Sequence, residues 1–220
     1  MPQTRRNFNV AGMRMYLMRR IGRIVGAACL FCVILVPAHA EPVITKTYSF
    51  FRIGGRTADD LDKALERHGP VTRTTGSRHP GATEIKFGGE VTYVERAGRC
   101  AIGSAKVTLR TNLILPRWSN RRQAPKDLRF IWDTLSADIK RHEERHAEIA
   151  RNHARLLERE LVALPARRSC DDVESLVNDT TKRVLAQHDR EQMQFDRIEA
   201  KNFDARMTRL LQYRIDQGKR

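Results

Sequence analysis

Residues 140–160, KRHEERHAEIARNHARLLERE, decide the fold because they read as the centre of one long helix without proline or glycine. Apolar side chains and histidines recur around them at helical spacing. The stripe comprises Leu128, Ile131, Leu135, Ile139, His142, His146, Ile149, His153 and Leu156. Such a stripe is typical of the buried face of a helix. We therefore predict a helix that begins near Pro125 and ends before Pro165.

A second helical pattern follows the short break LPARRSCDD at residues 164–172. Pro165 ends the first helix, and Ser169 with the aspartates after Cys170 starts the next. Its apolar stripe comprises Val173, Val177, Thr180, Val184, His188, Phe195 and Ile198. Because the connection is short, residues 124–217 are predicted to form one antiparallel two-helix hairpin.

Residues 41–118 are predicted to be mainly strand. The segments VITKTYSFF, TEIKFGGEVTYVE and AKVTLRTNLILP are rich in β-branched and aromatic residues, and the last two are predicted to pair across the RAGRC turn. One short helix, capped by Thr57 and stopped by Gly69, lies among them. The predicted fold class is α+β, with a small antiparallel sheet and one short helix packed on the long hairpin.

The first forty residues differ from the rest of the chain. They contain six arginines and no acidic residue, with an apolar run of 13 residues at 24–36 and then PAHA. A membrane span needs about 20 apolar residues, whereas the core of a signal peptide needs about 7–15. We predict a signal peptide at 1–40, cleaved after Ala40, and one domain at 41–220 that is periplasmic or secreted. The alternative is an uncleaved signal that anchors the protein in the inner membrane.

The cysteines and the charge bear on the compartment and the partners. Cys100 and Cys170 are predicted to form a disulfide in an oxidising compartment, and the alternative is two buried thiols. Removing the signal would lower the formal net charge from +15 to +9, with the charges mixed along the helices. Nucleic acid is not expected as a partner, because no aromatic–basic motif accompanies this charge and export conflicts with it.

The pattern His142, Glu143, x, x, His146 is typical of a zinc site on a helix. Residues four apart share a face, so both imidazoles can bind one metal, while Glu143 points about 100° aside as a general base. Zinc lowers the pKa of a bound water to about 7. The alternative is that these are core histidines bonded to nearby carboxylates.

A third metal ligand must come from elsewhere in the chain. His153 lies about 10 Å along the axis from His146, which is too far to share the ion. If the hairpin turn centres near Arg167, His188 lies level with His146 and is the first choice. The reserve ligands are Asp196 and Glu199.

Several stretches within residues 41–215 resemble a known bacterial family. They are the early aromatic strand, GRCAIGSAKVTLRTNLILPRW, Trp132 ten residues before the metal pattern, HEERHAEIA, Cys170 and QFDRIEAKNF. Together they resemble the secreted proteins grouped as the domain of unknown function numbered 922, which are described as predicted zinc-dependent proteases. The resemblance implies a zinc peptidase.

The last of these stretches departs from the family pattern. Family members carry an aromatic–aspartate pair, then a threonine and a His-Gly pair. This chain matches with Phe195 and Asp196, but it has Glu199 at the threonine and Lys201 and Asn202 at the final pair. The departure increases the need for His188, Asp196 or Glu199 as a ligand.

The sequence therefore supports two possible functions. In the first, the protein is a periplasmic or secreted zinc metallopeptidase in which His142, His146 and His188 hold Zn²⁺ and Glu143 activates water. Its substrate would be a polypeptide or a cell-wall peptide. In the second, it is a non-catalytic envelope protein whose helical hairpin binds a partner or an anionic surface.

Overall fold

The computed structural model describes residues 41–72 and 76–218. The elements are β1 (Val43–Ile53), α1 (Ala58–His68), β2 (Ala82–Arg96), β3 (Arg99–Trp118), a 3-10 turn (Arg121–Gln123), α2 (Lys126–Val162), α3 (Cys170–Lys201) and α4 (Phe203–Gly218). The predicted α+β class is confirmed. The predicted signal peptide lies outside the described residues. No helix within them is long and apolar enough to cross a bilayer.

The sheet is mixed, so the predicted antiparallel sheet is wrong. Its strand order is β1-β3-β2, with β3 antiparallel to β2 and parallel to β1. Ala82 at the start of β2 pairs with Ile114, near the end of β3 where Ile53 closes β1 against Trp118. Because β2 starts at the end of the sheet where β1 finishes, β3 returns between them and runs in the direction of β1.

The central strand β3 supplies one side of the core. Its side chains alternate between buried and more exposed positions from Ala105 to Leu115, and Leu109 and Leu113 are fully buried. β3 is reached through a tight turn at Ala97 and Gly98, whose φ angles of 49° and 69° are both positive. Two positive φ angles match the twist of a two-residue hairpin, which confirms the pairing across RAGRC.

Helix α2 has two buried faces. The face on the sheet is lined by Ile139, Glu143, Ala147, Ala150, Ala154 and Leu157. Its alanines let the helix approach β3 closely. The histidines lie on the neighbouring face, toward α3, rather than on the sheet-facing stripe. The long helix is thus confirmed, and Glu143 belongs to its apolar side.

The connection between α2 and α3 is fixed to the sheet. Cys100 donates its backbone N–H to Arg167 O at 2.9 Å, and Arg167 returns a bond of 2.8 Å to Cys100 O. Cys100 and Cys170 form the predicted disulfide, with their Cα atoms 5.1 Å apart. Helix α3 therefore starts at a covalent attachment to β3.

The helical hairpin differs from the prediction in two ways. Gln192, not His188, lies beside His146, so the register is displaced by about one turn. The second arm is also not continuous, because Asn202 separates α3 from α4. The Asn202 side chain donates to Ile198 O at 2.9 Å, and this competition with the backbone ladder ends α3.

Removing the disulfide should destabilise the protein. It closes a loop with a sequence separation of 70, for which the chain-entropy model gives about 4 kcal/mol. We expect Cys100→Ser with Cys170→Ser to lower the free energy of unfolding by about 2–5 kcal/mol in urea titrations. Wild-type protein under reducing conditions is the control and should unfold like the double variant. An unchanged unfolding midpoint in both would contradict the prediction.

Candidate metal centre

Three side chains from α2 and α3 converge on one point. His142 Nε2 lies 3.0 Å from His146 Nε2. Asp196 Oδ1 lies 3.3 Å from His142 Nε2 and 2.9 Å from His146 Nε2. Among the described residues this is the one group of three or more His, Cys, Asp or Glu that could hold a metal ion.

The size of this triangle fits a tetrahedral ion. Ligand atoms bound to zinc at about 2.0–2.1 Å lie about 3.3 Å apart in tetrahedral geometry. The three observed separations fall within a few tenths of an ångström of that value. Two imidazoles and one carboxylate are also a ligand set that zinc accepts, and three protein ligands are typical of catalytic sites.

Each histidine has a partner on its outer nitrogen. Gln192 Oε1 hydrogen-bonds His146 Nδ1, and Glu199 Oε2 lies 3.6 Å from His142 Nδ1. Phe195 stacks on His142 with ring centroids 4.9 Å apart and meets His146 edge-on. Such outer partners orient metal-binding imidazoles. Both Nε2 atoms are therefore directed toward Asp196.

The predicted ligand His188 lies beside the cluster and not in it. Its Nδ1 is 2.9 Å from Asp189 Oδ1, and its Nε2 is 2.9 Å from Gln192 Nε2. The ring packs between Phe87 and His153. The structure instead brings the reserve ligand Asp196 to the two histidines.

The charges favour a cation at the point of convergence. Burial acts to raise the pKa of Asp196, but hydrogen bonds from His142 and His146 outweigh it and hold the pKa well below its ordinary value. Burial acts to lower the pKa of His146, but bonds to Asp196 and Gln192 outweigh it and raise the pKa. These shifts favour a proton on His146 that faces the ionised Asp196 carboxylate, and a metal ion would replace that proton.

Glu143 points from α2 toward the start of β2. It is 5% exposed, and Thr83 Oγ1 donates to its Oε2 at 2.8 Å. Burial raises the pKa of Glu143, and the nearby His146 offsets this in part. Gly81 lies against the other oxygen, because a Cβ there would stand 2.9 Å from Oε1. Thr83 and Gly81 were not predicted, since no local signal links them to α2.

A polar network supports the cluster from behind. Asp138 is buried on α2 and accepts from Arg141 at 2.9 Å and from Arg206 of α4 at 3.1 Å. Both arginines also contact Glu199, Arg206 at 3.3 Å. Four charged groups therefore join three helices, and they hold Glu199, the second reserve ligand, beside His142.

The fold and the cluster define a small α+β protein whose longest helix presents two histidines to a carboxylate of the next helix. Residues 48–203 match the family model described as "Bacterial protein of unknown function (DUF922)", and the chain belongs to this family. The resemblance noted in the sequence is thereby confirmed at the level of the family. No curated protein and no solved structure matches the chain. The match contains the whole cluster and ends at the first residue of α4.

Gly81 should not tolerate a side chain. In Gly81→Ala the new Cβ would stand 2.8 Å from Ile139 Cγ2 and 2.9 Å from Glu143 Oε1. We expect a loss of about 1–3 kcal/mol in the free energy of unfolding, measured by urea denaturation. The matched control is Gly54→Ala, where the nearest atom is an ordinary 3.5 Å away. Equal losses in the two variants would show that Gly81 is not tightly packed against Glu143.

Asp138 should contribute strongly to stability. Asp138→Ala removes the buried carboxylate that accepts from Arg206 and leaves Glu199 as the acidic partner of this largely buried guanidinium. Breaking a buried ion pair costs about 3–5 kcal/mol. The control, Asp59→Ala, removes an exposed pair with Lys63 and should change the free energy of unfolding by less than about 1 kcal/mol. Thermal and urea unfolding measure both. A change at Asp138 as small as that at Asp59 would contradict the prediction.

Proposed function

We propose that this protein is a zinc-dependent hydrolase of peptide or related amide bonds. In this proposal His142, His146 and Asp196 hold the metal and Glu143 is the general base. The observation that carries it is the triangle of ligand atoms, 2.9–3.3 Å on each side, together with the buried Glu143 carboxylate, which interacts electrostatically with both histidines. Asp196 takes the place that sequence reasoning gave to His188.

The metal would supply the electrophilic part of the chemistry. When bound, zinc polarises a carbonyl oxygen and lowers the pKa of a water toward about 7. The donor set supports zinc over magnesium or calcium, which prefer oxygen ligands.

Glu143 is suited to accept a proton. Burial raises its pKa against the opposing effect of His146, and a base whose pKa lies nearer to neutrality is more effective. Thr83 occupies Oε2 with a hydrogen bond, and in this proposal Oε1, on the side of Gly81, would take the proton from the attacking water. Oε1 would then deliver that proton to the leaving amine.

The disulfide supports a location outside the cytoplasm. Disulfides such as that between Cys100 and Cys170 persist in oxidising compartments. Together with the predicted signal peptide, this supports a periplasmic or secreted protein, whose substrates would include polypeptides and cell-wall peptides.

A second function is favoured by a different observation. Large apolar side chains are exposed on the C-terminal half of the hairpin. They are Met193, Ile198, Phe203, Tyr213 and Ile215. Where such groups form one contiguous surface, they favour contact with another macromolecule. In this alternative the protein is a non-catalytic envelope protein, and the hairpin binds a partner.

Metal analysis separates these functions. We expect one zinc per chain in the wild type by elemental analysis, none in His142→Ala or Asp196→Ala, and retained zinc in Glu143→Gln. Hydrolysis of labelled casein or cross-linked muropeptides should be lost in all three, because each lacks a ligand or the base. The matched control is Asp179→Ala, an exposed aspartate of α3 that should keep zinc and activity.

Two outcomes would contradict parts of the proposed hydrolase. Folded wild-type protein that takes up no zinc from a zinc-buffered solution would reject the hydrolase and favour the non-catalytic function. Full hydrolysis by Glu143→Gln would retain a hydrolase but reject Glu143 as its base.

A further inference from the structure

Gln192 on α3 makes three polar contacts at the interface with α2. Its Nε2 donates to His146 O at 3.1 Å and lies 2.9 Å from His188 Nε2. Its Oε1 hydrogen-bonds His146 Nδ1. The amide therefore contacts both the backbone and the ring of one candidate metal ligand.

These contacts fix the orientation of the Gln192 amide and the hydrogen on the His146 nitrogen that faces it. The carbonyl oxygen of His146 can only accept, so the amide nitrogen of Gln192 must face it. The amide oxygen is then the atom that faces His146 Nδ1. Because that oxygen also only accepts, Nδ1 must carry a hydrogen. Nε2 faces Asp196 Oδ1 at 2.9 Å and carries a second hydrogen when the ring is protonated, so a metal that displaces this proton would receive the lone pair of Nε2.

The same assignment extends to His188. The amide nitrogen has a second hydrogen, which His188 Nε2 accepts at 2.9 Å. The hydrogen of the His188 ring then lies on Nδ1 and is donated to Asp189 Oδ1 at 2.9 Å. Burial lowers the pKa of His188 against the effect of Asp189, in agreement with a neutral ring. His188 uses its lone pair on Gln192, which explains why it is not a ligand.

We propose that Gln192, supported by His188 and Asp189, is a positioning residue that fixes the tautomer of His146 and so presents His146 Nε2 to the metal. This inference rests on the proposed metal site for its role in function. The hydrogen-bond assignment itself rests on the geometry alone. Losing an outer partner of a metal-binding histidine typically weakens metal affinity by about 10–100-fold.

The test removes the amide while keeping the length of the side chain. We expect Gln192→Met to weaken zinc binding by about 10–100-fold in competition with a fluorescent chelator. Gln192→Glu keeps an oxygen for His146 Nδ1 and should recover part of that loss. The matched control is Gln194→Met, an exposed glutamine of the same helix, which should bind zinc like the wild type.

A second measurement tests the tautomer of His146 without depending on metal binding. In Asp196→Ala, which lacks a ligand, the neutral His146 ring at about pH 8 keeps Gln192 at Nδ1 and His142 at Nε2, 3.0 Å away. Nitrogen-15 NMR should then show a protonated Nδ1 on His146. Adding Gln192→Met to Asp196→Ala should abolish that preference, whereas adding Gln194→Met should not. This measurement reports the tautomer and not merely a loss of stability.

The outcomes separate the two proposals. Equal zinc affinity in the wild type and Gln192→Met, or an unchanged His146 tautomer in the double variant, overturns the role of Gln192. Wild-type protein that binds no zinc overturns the proposed function. In that case the NMR result alone decides whether Gln192 sets the tautomer.

Discussion

The close packing of α2 on β3 is the constraint on which the rest of the structure depends. Ala147, Ala150 and Ala154 present only methyl groups to the sheet, so the helix lies close to the strand. That approach brings Glu143 within hydrogen-bond distance of Thr83 on the neighbouring strand. It also leaves the adjacent face of α2 free for α3. The position of Glu143 beside β2 and the packing of α3 against the histidines of α2 both follow from the close packing of α2 on β3.

Local patterns were sufficient to predict most elements. The cap at Thr57, the alternation along β3 and the proline at 165 are each read within a few residues, and α1, β3 and the end of α2 follow them. The order of the strands in the sheet cannot be predicted from such local patterns. β1 and β3 pair at a separation of 65 residues, as at Val43 and Thr108, and nothing in either segment specifies a parallel partner.

The candidate site was predictable to the extent that one helix contains it. The spacing of His142, Glu143 and His146 is fixed by the helix itself. The third position depends on how two helices slide past each other, and a displacement of about one turn exchanges His188 for Asp196. The connection between the two helices is anchored to β3 through Arg167 and Cys100, and the periodicity of either helix cannot reveal this attachment.

The break at Asn202 gives α4 an influence on a histidine it does not touch. Arg206 reaches back from α4 to Glu199, whose carboxylate stands beside His142. Glu199 is thus held from two sides, by Arg206 of α4 and by Arg141 of the helix that bears His142. The placement of α4 therefore contributes, through one ion pair, to the orientation of the carboxylate at the outer edge of the His142 ring.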